Sequence, residues 1–182
     1  MNNYQALRPV AIVGSNRTPF CRAGTAYADL TNLDMLSNAI QGLVDRYQLQ
    51  NKLIDEVVAG AVTTHAKDFN LAREAVLSTT LSPLTSGITL QQACGTSLQA
   101  AFGIAAKIAC GQIECGIAAG SDSASDAPIV FSRRFSQRLL QLSRAKTLQQ
   151  KLAAFKQFRF GELSPVPPSI AEPRTGLSMG EH

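Results

Sequence analysis

Short apolar runs, most of them closed by glycine, alternate with longer helix-like segments over roughly the first two thirds of the chain. The runs are residues 10–13, 54–59, 87–90 and 115–119. Apolar residues recur at helical spacing in segments 33–47, 70–80 and 95–110. Strands that alternate with helices pair in a parallel or mostly parallel sheet. Apart from Asp55, Glu56 and Thr89 the runs are apolar and do not alternate with polar residues, which predicts strands covered on both faces in an α/β fold.

Local signals mark where these helices begin and end. Thr31 precedes the first helical segment as an N-cap, with Asp34 three residues later. Pro83 ends the second segment, and Gly111 ends the third as a C-cap. These start and stop signals therefore support the same order of strands and helices as the apolar pattern.

Composition excludes several classes of protein. Apolar residues make up 45% and charged residues 16% of the chain, which argues against disorder. No run of about 18 apolar residues is present, so no helix is expected to cross a membrane. Residues 1–4 lack the basic start of a signal peptide. The cytoplasm is therefore the expected compartment, where thiols are reduced.

The cysteines and histidines form no metal-binding pattern. The cysteines are Cys21, Cys94, Cys110 and Cys115, and the histidines are His65 and His182. No C-x-x-C pair is present, so no metal site is predicted. His65 has no motif around it and is interpreted as a surface residue.

The positive charge is concentrated in one segment. Residues 127–160 hold eight Lys or Arg and no Asp or Glu, whereas the rest of the chain holds nine basic and thirteen acidic residues. Apolar residues recur through it at near-helical spacing: Phe131, Phe135, Leu139, Leu142, Leu148, Leu152 and Phe155. The segment is either a solvated helix face or a surface for an anionic ligand or an anionic membrane. Nucleic acid is not predicted, because no binding motif accompanies the charge.

Cys94 stands where a strand is expected to stop and a helix of small residues to begin. Unpaired N–H groups at a helix N-terminus carry partial positive charge and stabilise a thiolate, the reactive form of cysteine. The same groups can hold an oxyanion after the sulfur attacks a carbonyl carbon. A buried, inert cysteine is an equally good interpretation of position 94 at this stage.

The other cysteines fit the buried, inert interpretation better. Cys110 ends a helix, where the dipole disfavours a thiolate, and Cys115 opens an apolar strand. Cys21 lies in a loop without an activating neighbour. The small polar segment 120–126 follows a strand, and it either lines a site at the edge of the sheet or forms a plain turn.

Six segments, in order, resemble the thiolase family. They are Arg17-Thr18-Pro19-Phe20, Ile54 to Gly60, Asn70-Leu71-Ala72-Arg73, Cys94 with its small-residue helix, Ala118 to Ser125, and Thr175 to Gly180. The chain departs from the commonest pattern at Cys94-Gly95-Thr96-Ser97, at Ala119-Gly120, and at Ser178, where many thiolases have histidine. These departures, the basic segment 133–159 and Pro165, Pro167 and Pro168 look more like the thiolase subunit of fatty-acid oxidation complexes.

The resemblance implies a thiolase half domain, a βαβαβαββ-like unit, at residues 1–125 and part of a loop domain at 126–182. It implies that Cys94 accepts the acyl group, that its backbone N–H helps to hold the oxyanion, and that Met179 contacts the pantetheine arm of coenzyme A. Coenzyme A is then a substrate, and no cofactor is permanently bound.

The resemblance also implies that the chain is the N-terminal portion of a longer protein. The implied reaction is thiolytic cleavage of 3-ketoacyl-CoA, or its reverse condensation, in fatty-acid β-oxidation. The second half of a thiolase supplies a histidine and a second cysteine, so this chain alone is expected to be inactive. The implied partners are an acyl-CoA, further copies in a homodimer or larger oligomer, and a hydratase/dehydrogenase subunit.

Two other functions remain open from the sequence. A ketoacyl synthase shares the fold and a nucleophilic cysteine, but segments 118–125 and 175–180 favour a thiolase. A non-catalytic lipid carrier with a thiolase-like fold is the other, and an unreactive Cys94 would favour it.

Overall fold

The computed structural model describes residues 7–156, 159–166, 169, 171–178 and 180–181. The described residues fall into two compact units, one within 1–128 and the other within 129–182. The domain bounds expected from the sequence, 1–125 and 126–182, stay a prediction, because contacts within a chain do not establish which parts fold independently.

The first unit is built on a parallel sheet, which confirms the predicted α/β class. Within the described residues, its three strands are β1 (Glu56–Ala59), β2 (Ser86–Thr89) and β3 (Gly116–Ala118), in the order β2-β1-β3. Val57 pairs with Gly87 on one side and with Ile117 on the other. All three carboxyl ends therefore lie at one edge of the sheet.

Three helices accompany the strands: α1 (Asn32–Tyr47), α2 (Leu71–Leu77) and α3 (Thr96–Ala109). The predicted N-cap of α1 is present as a reciprocal capping box. The Asp34 N–H donates to the Thr31 hydroxyl, and the Thr31 N–H donates to the Asp34 carboxylate. Hydrogen bonds from the side chain and backbone of Thr31 lower the pKa of Asp34.

Helices cover both faces of β1. Val57 and Ala59 belong to one apolar cluster, together with residues of α1 and α2. Val58 points the opposite way and packs with Ala100 and Ile104 of α3. The core of this unit therefore lies on both sides of the central strand.

Two expectations about the strands are wrong. Ile12 and Val13, in the apolar run 10–13, are almost fully exposed, and the run forms no strand. An apolar run becomes a strand only where another strand offers its edge, and within the described residues 10–13 make no ladder hydrogen bond. Burial on both faces holds for β1 alone, because β2 and β3 are edge strands with partly exposed side chains.

The second unit contains two short helices, α4 (Arg133–Arg144) and α5 (Leu148–Phe155), followed by a 3₁₀ helix at Phe160–Leu163. Ser132 caps α4, and Thr147 caps α5 with a capping box. The rings of Phe131 and Phe135 lie 5.1 Å apart. The predicted basic helical segment is thus two helices, with a break between 144 and 148.

In the part of the chain that the structure describes, no helix combines the length and the apolar character needed to cross a membrane.

Replacing Gly87 by alanine is expected to destabilise the first unit by about 1–3 kcal/mol, because the added methyl overpacks the interface between β2 and α2. A Cβ there would lie 2.7 Å from the Cα of Arg73 and 2.8 Å from its backbone nitrogen. Gly103→Ala in α3 is the matched control, because a Cβ there meets open space and alanine favours the helix by about 0.5–1 kcal/mol. Urea unfolding measures both, and equal midpoints for Gly87→Ala and the unchanged chain would refute the prediction.

Candidate active site

The chain segments that follow the three strands stay side by side at the carboxyl edge of the sheet. The Leu90 N–H donates to the Ala59 carbonyl at 3.1 Å, just beyond β2. On the other side of β1, the Ser121 N–H donates to the Gly60 carbonyl at 3.1 Å. The backbone ladder therefore continues into the loops, which holds the start of each loop in a fixed place.

Two glycines let these loops approach each other. A side chain at position 60 would overlap the carbonyl oxygen of Leu90 and lie 2.8 Å from the methyl of Thr96. A side chain at position 120 would lie 2.9 Å from the Cβ of Ser97. The first turn of α3 thus rests on backbone with no intervening side chain.

Cys94 lies in a tight turn between β2 and α3, and it is exposed. Ala93 has a left-handed backbone with φ of 46°, a conformation that costs an alanine about 1–2 kcal/mol. The turn is closed by two hydrogen bonds, from the Gly95 N–H to the Gln92 carbonyl and from the Thr96 N–H to the Ala93 carbonyl. The structure therefore presents the thiol to solvent from a strained strand-to-helix turn.

The side chain of Thr96, the first residue of α3, stabilises this turn through hydrogen bonds to its backbone. It is buried, and its hydroxyl accepts a hydrogen bond from the Gln92 N–H at 2.8 Å. The same hydroxyl donates to the Ala93 carbonyl at 2.8 Å. Each such bond contributes about 1 kcal/mol, so together they are of the size needed to offset the strain at Ala93. No motif in the sequence singled out Thr96; the available signal was a hydroxyl residue in the first turn of a helix.

The N-terminus of α3 offers free donors near Cys94. Within the described residues, the N–H groups of Cys94, Ser97 and Leu98 have no hydrogen-bond acceptor. Unpaired N–H groups at a helix N-terminus attract negative charge. The arrangement therefore offers hydrogen-bond donors to a negatively charged group at this position.

Burial of Cys110 and Cys115 was predicted wrongly, because both are exposed. Cys110 lies at the C-cap of α3, and Cys115 precedes β3, which is an edge strand. Cys21 is exposed as well. Exposure therefore does not distinguish the four thiols. Cys94 and Cys110 differ instead in position, because Cys94 lies at the N-terminus of α3 and Cys110 at its C-terminus.

Two carboxylates of segment 120–126 hydrogen-bond to the backbone of other segments of the first unit. Asp122 accepts hydrogen bonds from the N–H groups of Val62 and Thr63, at 2.7 and 3.2 Å. Asp126 accepts from the N–H of Asn32 at 3.1 Å. The two carboxylates thus join the loop after β1 and the N-terminus of α1 to the loop after β3. The structure shows a bracing role for this segment, which the sequence had left open between a site wall and a turn.

His65 belongs to the same brace and is partly exposed. Its Nε2 lies 2.9 Å from the carboxylate of Asp126, and its side chain is 28% exposed. No sequence motif indicated this pair, because the two residues are far apart in the chain and meet only through the sheet.

Among the described residues, no group of three or more Cys, His, Asp or Glu side chains could hold a metal ion. Met179, the predicted coenzyme A contact, lies outside the described residues, as does His182.

Comparison with known families and proteins gives a consistent result. The family described as "Thiolase, N-terminal domain" matches residues 10–162. A 3-ketoacyl-CoA thiolase from Shewanella denitrificans is 41% identical over 172 residues, which cover 94% of this chain and 39% of that protein. A 3-ketoacyl-CoA thiolase from Vibrio cholerae is 42% identical over the same length, with 40% of it covered. The chain thus spans about two fifths of the length of these curated relatives.

Solved structures show the same likeness. A Bacillus anthracis acetyl-CoA acetyltransferase superposes with a TM-score of 0.67 at 26% identity, over 71% of this chain and 33% of that one. The Acat5 thiolase of Ascaris suum, solved with coenzyme A, superposes with a TM-score of 0.59 at 25% identity, over 65% of this chain and 31% of that one. With a parallel sheet, an exposed cysteine at the start of α3 and these matches, the chain belongs to the thiolase family.

Proposed function

We propose that Cys94 is the nucleophile that takes the acyl group from an acyl-CoA thioester. The observation that carries this proposal is an exposed thiol at the N-terminus of α3, beside N–H groups with no acceptor among the described residues, in a chain of the thiolase family. For the whole protein we propose thiolytic cleavage of 3-ketoacyl-CoA, or the reverse condensation, in fatty-acid β-oxidation.

The chemistry of the first step suits this geometry. The Cys94 thiolate attacks the carbonyl carbon, and the oxygen gains negative charge as the tetrahedral intermediate forms. The N–H of Cys94 is the proposed donor to that oxygen, because a preorganised donor stabilises developing charge. The product is again a thioester, so the acyl group keeps its reactivity for transfer to coenzyme A.

Substrate and partners of the whole protein come from its relatives. The curated relatives carry the name 3-ketoacyl-CoA thiolase, and one structural neighbour was solved with coenzyme A. These names support an acyl-CoA as the substrate, with coenzyme A as the acyl acceptor. A pantetheine contact at Met179, a homodimer, a hydratase/dehydrogenase partner and a cytoplasmic location stay predictions.

A ketoacyl synthase is disfavoured by the family match over residues 10–162. A lipid carrier is the second candidate function, because such a domain keeps the fold without needing a reactive thiol. The reactivity of Cys94 separates the carrier from the enzyme.

Limiting iodoacetamide at neutral pH is expected to label Cys94 ahead of the three other cysteines. All four thiols are exposed, so access alone would label them at similar rates, whereas a helix N-terminus favours the reactive thiolate. Peptide mass mapping measures the label at each site. Cys110, at the other end of α3, is the internal control, and equal or faster labelling of Cys110 or Cys115 would contradict the prediction.

In the whole protein, acetyl-CoA is expected to transfer one acetyl group to Cys94; this chain alone is expected to be inactive, because the second half of a thiolase supplies a histidine and a second cysteine. A bond forms between the Cys94 sulfur and the acetyl carbon, the bond from that carbon to the coenzyme A sulfur breaks, and coenzyme A leaves as the thiol. Intact mass and peptide mapping detect the adduct, and excess coenzyme A is expected to remove it. Cys94→Ala should abolish the adduct and Cys110→Ala should leave it unchanged; an adduct of equal size in Cys94→Ala would refute the role of Cys94.

The basic segment of the second unit keeps its charge exposed. Arg133, Arg134, Lys146 and Lys151 are exposed, whereas Arg138 lies 2.7 Å from Glu162 in an ion pair. The apolar side chains of Leu139, Leu140, Leu148 and Leu152 are also more than two fifths exposed. Exposed cations beside exposed leucines support binding of phosphate groups, from either coenzyme A or an anionic membrane surface. A merely solvated face is the competing interpretation.

Changing Arg133, Arg134, Lys146 and Lys151 to Gln is expected to weaken binding to anionic vesicles by at least about tenfold, since each cation near such a surface is worth about 1 kcal/mol. Co-sedimentation with neutral and anionic vesicles measures this, and a coenzyme A titration is run in parallel. The control changes Arg17, Arg22, Lys52 and Lys67, four exposed cations of the first unit, to Gln. A loss confined to the coenzyme A titration would assign the phosphates to the coenzyme, and no loss in either assay would leave a solvated face.

A further inference from the structure

Thr96 touches both sides of the residue that precedes Cys94. Its hydroxyl binds the Gln92 N–H on one side of Ala93 and the Ala93 carbonyl on the other. Ala93 is the left-handed residue of the turn, with φ of 46°. The hydroxyl therefore stabilises the left-handed conformation of Ala93, with which Cys94 is exposed at the start of α3.

The other half of the same side chain faces the sheet. The methyl of Thr96 lies 2.8 Å from the point that a Cβ of Gly60 would occupy, and Thr96 is 4% exposed. Gly95, the N-cap residue, has no side chain with which to fasten the turn. In the described residues, Thr96 is thus the side chain that connects the end of β1 to the turn carrying the thiol.

We infer that Thr96 is a positioning residue for acyl transfer, which fixes the direction of the Cys94 thiol and of its backbone N–H relative to the bound carbonyl. This inference rests on the proposed role of Cys94 as the acyl acceptor. Thr96 does not touch the reacting atoms; it acts through the backbone of residues 92–94. Its hydroxyl is the necessary group, and its methyl contributes packing.

The test compares the rate of acetyl transfer from acetyl-CoA to Cys94 in three variants of the whole protein. Thr96→Ser keeps the hydroxyl, Thr96→Val keeps the shape without the hydroxyl, and Thr85→Val is the matched control. Thr85 is also fully buried, and its hydroxyl also accepts a backbone hydrogen bond, from Ile54, but it precedes β2 at the opposite edge of the sheet. Alkylation of Cys110 by iodoacetamide in each variant reports on the integrity of α3.

Thr96→Val is expected to slow acetyl transfer to Cys94 by about tenfold or more, because small displacements of reacting groups cost rate steeply. Thr96→Ser should stay within about twofold of the unchanged protein, and Thr85→Val should leave the transfer rate unaltered. Alkylation of Cys110 should be the same in all.

Three outcomes would overturn the inference. Equal acetyl transfer in Thr96→Val and the unchanged protein would remove the role of the hydroxyl while leaving the proposed function intact. Faster alkylation of both Cys94 and Cys110 in Thr96→Val would make Thr96 a structural residue of α3. Absence of acetyl transfer to Cys94 in the unchanged whole protein, with reactive thiols elsewhere, would overturn the proposed function itself.

Discussion

The placement of Cys94 depends on there being no side chain at position 60. The turn after β2 and the first turn of α3 rest directly on the end of β1, where a Cβ would overlap the Leu90 carbonyl and crowd the Thr96 methyl. Gly120 leaves similar room beneath Ser97. The Leu90 contact is with backbone, so no rotation of one side chain could relieve it. The backbone at the end of the sheet therefore fixes the position of the turn that carries Cys94, independently of the side chains around the thiol.

Features that depend on neighbours in sequence could be predicted. The capping box of Thr31 and Asp34 needs only four consecutive residues, and the strands and helices of the first unit follow from apolar spacing. Apolar composition did not predict the structure of the run 10–13. Its composition suits a strand, but strand formation depends on a partner edge, and sequence spacing carries no information about which edges are available.

The features of the candidate site also differ in whether neighbours in sequence determine them. The position of Cys94 between a strand and a helix was predictable, because a strand, a turn and a helix of small residues follow one another in the sequence. The role of Thr96 was not, because it depends on the strained φ of Ala93 and on the close approach of Gly60. The His65–Asp126 pair joins residues that only the sheet brings together. Exposure of Cys110 and Cys115 was missed because a sequence does not reveal which strands lie at the edge of a sheet.

The length of α3 has a consequence for oxidation. Its 14 residues span about 20 Å, with Cys94 just before one end and Cys110 just after the other. Cys115 leads into β3 at the same edge of the sheet as Cys110. A disulfide requires Cα atoms within about 7 Å, so neither of these thiols can reach a sulfenic acid formed on Cys94. Neither one can therefore serve as its resolving thiol while the first unit stays folded.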